Sequence, residues 1–151
     1  MIAIDTVVLV LALRPDDPND SRVAQAQALL SSLDQQQETI LIPAPVLTEF
    51  LYKYPPEKRG AILAELGTWA MIQAFDAKAA AIAANLNPPP AAERNEPRQC
   101  VKTDVFIVAT AIAHGASCIY TDNIKDFRAI AQNSIDVRAL PEYQPELPFK
   151  P

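Results

Sequence analysis

Glycine, histidine and cysteine are scarce in this chain: three, one and two among 151 residues. With so few glycines there is no GxxxxGK[ST] or GxGxxG run, which excludes a glycine-rich loop cradling a nucleotide. The lone His114 and the widely spaced Cys100 and Cys118 exclude a zinc site, a Cys–His nucleophile and a disulfide framework. No apolar run reaches the ~20 residues that a membrane-spanning helix needs, so no membrane association is expected. The opening MIAIDTVVLVLAL lacks the basic flank and small-residue cleavage site of a signal peptide, and Asp5 interrupts it. The expected location is therefore a reducing cytoplasm. Positive charge is short as well: 13 Lys and Arg against 18 Asp and Glu leave a net charge of −5, with a pI near 4.8. That argues against sequence-independent binding of nucleic acid through a wide basic surface. It leaves room for a nuclease, because carboxylates gathered to hold divalent cations also make a chain acidic.

Apolar residues, by contrast, are abundant, at 50% of the chain against 21% charged. That is the composition and length of one ordered domain. Ile2 to Leu13 is an apolar run broken only by Asp5 and Thr6, and suits a strand buried on both faces. A loop at 14–20 precedes a helix capped by Asp20 or Ser21, with Val23, Ala26, Leu30 and Leu33 on one stripe. Thr39 to Ile42 is a second strand, and a helix from Pro45 to Tyr54 follows. Glu57 to Leu66 is another helix, closed by Gly67. Thr68 to Phe75 holds a third strand, and Asp76 caps an alanine-rich helix that runs to about Leu86. The proline-rich segment 87–97 is a surface loop. Beyond it, Lys102 to Phe127 gives an apolar helix with Asp104 in its first turn, a turn at His114-Gly115 and a strand from Ser117 to Tyr120. A short helix from Ile124 to Ala131 and a last strand near Ile135 to Ala139 complete residues 1–140, and 141–151 form an irregular tail. Alternating strands and helices predict an α/β fold with a mostly parallel sheet covered on both faces. In such sheets, sites form beyond the carboxyl ends of the strands.

Four carboxylates sit where that topology brings elements together. Asp5 lies in a strand too apolar to tolerate it unless it is protonated, hydrogen-bonded or cation-bound. Glu49 has Val46, Leu47, Phe50 and Leu51 around it, although an exposed pair with Lys53 at i+4 would also accommodate it. Asp104 follows Thr103, and Asp122 precedes a helix, so each alone could simply cap. Capping does not explain four carboxylates on converging elements. Oxygen-only ligation suits Mg²⁺ or Mn²⁺, and such a cluster serves phosphodiester hydrolysis.

Taken together, Ile4-Asp5-Thr6, Thr48-Glu49-Phe50, KTDVFIVATA from Lys102 and YTDNIKDF from Tyr120 resemble the PIN-domain family, in bacteria mostly VapC-type toxin ribonucleases. The resemblance runs from Met1 to about Ala139. It implies a three-layer α/β/α sandwich with a mainly parallel sheet of about five strands. It also implies an Mg²⁺- or Mn²⁺-dependent endoribonuclease acting on RNA, often tRNA or another translation-related RNA. Asp5, Glu49, Asp104 and Asp122 fall on the family's acidic positions, with Thr6 and Thr121 on the hydroxyl positions beside them. Asn123 and Asp126-Phe127 match the fourth motif, in which Asp122 is preferred to Asp126 as the fourth carboxylate because it lies nearer the strand end. Val7 departs from the family, which often has Asn there. Lys102 fits the pattern as a phosphate contact, and the family implies a homodimer and a cognate antitoxin protein.

Cations must stand beside such a site in an acidic protein, and Arg14, Lys53, Lys102, Lys125 and Arg128 are the candidates for contact with RNA phosphates. The rival reading is a non-catalytic PIN scaffold that binds RNA or a protein. A haloacid-dehalogenase-type phosphatase needs an acid at position 7, which is Val. A response-regulator receiver needs a paired acid early in the chain, and there is none.

Overall fold

Three buried residues, Ile2, Ala3 and Ile4, form the first strand, β1 (Ile2–Ile4), and Asp5 ends it. Asp5 is extended (φ −84°, ψ 165°) and caps a helix, α1 (Thr6–Leu13), accepting from the Thr6 N–H. The expected single strand from Ile2 to Leu13 is therefore two elements. Val8 to Ala12 are buried all the way round α1, so it shows none of the 3.6-residue alternation that distinguishes a helix from a buried strand. The structure, a computed structural model, describes residues 1–86 and 98–142. The proline-rich segment 87–97, expected as a surface loop, and residues 143–151 of the expected tail lie outside the described residues.

Asp20 caps α2 (Ser21–Gln35), whose buried stripe is Val23, Ala26, Leu29 and Leu33. β2 (Ile40–Pro43) is buried throughout and leads into α3 (Ala44–Tyr52), with Pro45 in its first turn, where a missing N–H is tolerated. Helix α4 (Pro56–Trp69) runs through Gly67 instead of closing there. A helical glycine costs about 1 kcal/mol relative to alanine. The helix gives way only at Ala70, which turns extended to pair with Ile40 in β3 (Ala70–Gln73). Asp76 caps α5 (Ala77–Asn85). Then α6 (Arg98–Ala113) ends two residues before Gly115, which adopts the left-handed φ of +78°. β4 (Cys118–Tyr120), α7 (Ile124–Ala131) and β5 (Asp136–Arg138) close the order.

All four strand pairings are parallel, and the order is β3-β2-β1-β4-β5. The sheet thus has five parallel strands with β1 at its centre, where Ile2 pairs with both Ile40 and Cys118. Helix contacts group α1 with α2 and α3 on one hand, and α6 with α5 and α7 on the other. Ile4, Leu41, Phe50, Ile107, Ile119 and Phe127 are fully buried between them. From β1 the chain builds outward through β2 and β3, then returns to the far side of β1 for β4 and β5. This reversal between β1 and β4 is the switch point at which open α/β sheets leave a crevice. Among the described residues no helix is long and apolar enough to cross a membrane.

Candidate functional site

Asp5 stands at that switch point. Its N–H donates to the Tyr120 carbonyl at 3.0 Å, so the β1–β4 ladder continues one residue past the strand end. The residue is 7% exposed, and desolvation of a carboxylate at this depth is costly without hydrogen-bond partners. The fold supplies them. Oδ1 accepts from the Thr6 N–H at 2.6 Å, and Oδ2 accepts from the Thr121 hydroxyl at 2.8 Å. Thr121 is itself fully buried and accepts at its hydroxyl from the Asn123 N–H at 3.1 Å. The Asn123 amide then donates to Asp126 at 3.2 Å. Asp126, 3% exposed, is thus tied into the far end of one network that begins at Thr6.

Glu49 joins from α3. The Thr6 hydroxyl donates to its carboxylate at 2.5 Å, so Thr6 links Asp5 through its backbone and Glu49 through its side chain. The alternative pair between Glu49 and Lys53 does not form, because Lys53 donates to Asp16 at 2.6 Å. Fully buried Val46 and Phe50 anchor α3 against the core, and Glu49, on the flank of that face, is half-buried.

Asp104 is half-buried on α6, the helix that packs against α3. It was expected in the first turn of its helix, but α6 begins at Arg98, more than a turn earlier. A position so far inside the helix is not a cap. Asp122, two residues beyond β4, is 45% exposed and accepts from Arg22 at 2.5 Å. Among the described residues, no three Asp, Glu, His or Cys side chains stand close enough to enclose a cation as they lie. The arrangement therefore joins Asp5 to Glu49 and commits Asp122 to an arginine.

Arg22 has no counterpart in the sequence reading. Its partner Asp122 is 100 residues away, and no local pattern announces such a pair. The one hint is Asp20 two residues before it, which caps α2 and holds the guanidinium through Nε and a terminal nitrogen. The Arg22 guanidinium holds the Asp20 carboxyl down to about 2, first by side-chain hydrogen bonding and then by the capping N–H, and the arginine is pushed up in return.

Of the other basic candidates, Arg14 lies over the Tyr54 ring, 4.5 Å from its centroid. Arg128 reaches toward the Val137 carbonyl at 3.5 Å. It also lines a cavity of about 340 Å³ with Asn133 and Asp136, on the β5 side. Lys102 and Lys125 are exposed. Burial pushes the Cys118 thiol up, consistent with a packing role in the sheet and not with a nucleophile.

A family model described as PIN domain matches residues 2–133. Three solved structures share the fold, each covering 98% of its own chain. VapBC2 from Rickettsia felis, bound to a DNA fragment from its promoter, is 23% identical over 92% of this chain with a TM-score of 0.60. DNA-bound VapBC from Salmonella typhimurium is 16% identical over 93%, with a TM-score of 0.59. VapBC-1 from nontypeable Haemophilus influenzae is 14% identical over 93%, also at 0.59. At these identities the likeness is one of fold. A comparison with curated proteins gave no match.

Proposed function

The chain belongs to the PIN-domain family, and from that premise we propose that it is a metal-dependent endoribonuclease, the toxin of a toxin–antitoxin pair. Residues 1–140 are its working unit. The observation that carries this reading is the hydrogen-bonded bridge from Glu49 through Thr6 to Asp5 and on to Thr121, built at the switch point of the sheet. Hydroxyl and amide donors point inward at carboxylates that would otherwise have no reason to be buried there. An all-oxygen donor set of this kind fits a hard divalent cation, Mg²⁺ or Mn²⁺.

Asp5, Glu49, Asp104 and Asp122 are the residues that would hold it. When bound, such a cation lowers the pKa of water, orients a phosphate and offsets charge on the leaving oxygen. The rest falls to the chain itself. Thr6 fixes the Glu49 carboxylate, Thr121 fixes Asp5, and Asn123 with Asp126 fixes Thr121. Lys102, Lys125, Arg14, Lys53 and Arg128 remain the proposed contacts to more distant RNA phosphates. A homodimer, a cognate antitoxin protein and a cytoplasmic location complete the proposal.

One observation favours the rival reading of a non-catalytic scaffold: Asp122 is committed to Arg22. Calorimetric titration with Mn²⁺ separates the two, because only the nuclease binds it in a manner lost on Asp5→Asn. The direct test is cleavage of RNA in Mn²⁺. Asp5→Asn and Asp104→Asn are each expected to reduce it by about a hundredfold or more, as loss of one principal electrostatic contribution does, with the circular dichroism spectrum unchanged. Full cleavage by both variants would sink the assignment.

A further inference from the structure

Arg22 is gripped in two places that differ in kind. Along one edge, Nε donates to both oxygens of Asp20 at 3.0 and 3.1 Å, and Nη2 donates to Oδ2 at 2.5 Å. Asp20 is itself fixed by accepting the Arg22 N–H at 2.9 Å in capping α2. From the other edge, Nη1 alone reaches across to Asp122 Oδ2 at 2.5 Å. The first grip is local and holds the plane of the guanidinium. The second spends one nitrogen on a carboxylate of the candidate site.

A divalent cation held by Asp122 competes with Nη1 for that oxygen. If it wins, Asp20 still holds the guanidinium where it is, so Nη1 becomes an aimed and unspent donor beside the site. Arg22 is 42% exposed, open to a ligand from solvent. A planar guanidinium with a donor edge to spare is suited to phosphate oxygen. Of the other basic candidates, Lys53 pairs with Asp16, Arg14 lies over Tyr54 and Arg128 reaches toward Val137, while Lys102 and Lys125 are exposed; none of these contacts is with a carboxylate of the candidate site. Exposed ion pairs contribute little to stability, so the Asp122 contact has small structural value to lose.

We propose that Arg22 is the residue that contacts the substrate phosphate, parked on Asp122 until a divalent cation takes that carboxylate. The inference rests on the nuclease reading above and names the cation partner and substrate contact of the same site. Arg22 is a switchable counter-charge: it neutralises Asp122 in the structure and passes its Nη1 donor to single-stranded RNA when the cation arrives.

The test uses the full chain in three forms, wild type, Arg22→Gln and Arg22→Lys, each checked by circular dichroism and thermal melting. The first readout is Mn²⁺ binding by calorimetry without RNA. Removing the competing arginine tightens binding in Arg22→Gln by roughly two- to fivefold, the range an exposed ion pair supplies. The second is binding of a fluorescein-labelled phosphorothioate RNA in Ca²⁺, followed across salt concentrations. Arg22→Gln weakens it and makes the slope of log K against log salt shallower by about 0.7, the value of one single-strand phosphate contact. Arg22→Lys keeps the slope, because the charge remains.

An Arg22→Gln variant that binds Mn²⁺ no tighter, or keeps the wild-type salt slope, overturns the proposal. If wild type binds Mn²⁺ in a manner lost on Asp5→Asn while Arg22→Gln behaves as wild type, this inference alone fails. If wild type binds no Mn²⁺, the nuclease reading fails and this inference with it.

Discussion

On the β1 side of the crevice, Asp5 and Glu49 are held by two threonines, Thr6 and the fully buried Thr121, and Glu49 sits on α3 next to the fully buried Phe50. On the β4 side, Asp122 is 45% exposed and held by one guanidinium that is itself 42% exposed. The first arrangement is part of the core and moves only if the core moves. The second is a surface ion pair, screened by salt over a Debye length of about 8 Å at physiological ionic strength. The proposed site would thus have one fixed wall and one adjustable wall. The adjustable wall is where a ligand can act without unfolding anything.

The sharpest way to break this contrast is to undo the fixed wall. Phe50 is fully buried and packs edge-on against Tyr54, with ring centroids 5.3 Å apart at 62°. Phe50→Ala is expected to cost about 3–5 kcal/mol of unfolding free energy in urea, from lost transfer energy and the cavity left behind. A loss of about 0.5 kcal/mol or less, the level of an ordinary surface change, would mean that α3 is not anchored as described.

A smaller pair of effects compares the walls directly. Thr121→Val keeps the shape but removes both the donor to Asp5 Oδ2 and the acceptor for the Asn123 N–H. It should cost about 1–3 kcal/mol, the penalty for disturbing buried hydrogen bonds. Asp122→Asn should stay within about 0.5 kcal/mol, as exposed substitutions do. Equal losses from the two substitutions would erase the distinction.

The smallest effect is in pH. Arg22 holds Asp20 down to about 2, against an ordinary value of 3.8. A carboxyl lowered on folding stabilises the native state fully above its unfolded value, and that contribution is lost as pH falls through the folded one. The stability difference between wild type and Asp20→Asn should therefore be constant above about pH 5 and shrink between pH 4 and 2. A difference that is flat down to pH 2 contradicts the Arg22–Asp20 grip.

Much of the fixed wall was legible in the chain, and little of the adjustable one. Asp5, Glu49 and Thr121 sit against apolar runs, and a polar group in such a setting advertises that it needs a partner. The division of Ile2–Leu13 into strand and helix was not legible, because residues buried on every side carry no period. The only local mark of the break is Asp5-Thr6 itself, a cap within an apolar run. Gly67 misled in the opposite sense, since the helix is stopped by strand pairing at Ala70 and not by its own residue. Asp104 looked like a cap because the start of its helix is upstream of the apolar residues that mark it. Arg22 was invisible because its meaning lies wholly in a residue 100 positions away.

The parallel pairing of β1 with β4, Ile2 with Cys118 and Ile4 with Tyr120, also sets an order of events in synthesis. Asp5 lies 116 residues before Thr121 in the chain, yet the hydroxyl that orients it belongs to Thr121. The chain before β4 supplies three of the five strands together with Asp5 and Glu49, but not the partner that β1 has on its other side. Only when β4 has paired with β1 does the wall close. The Asp5–Thr121–Asn123 part of the network is therefore complete only once the chain extends through Asn123.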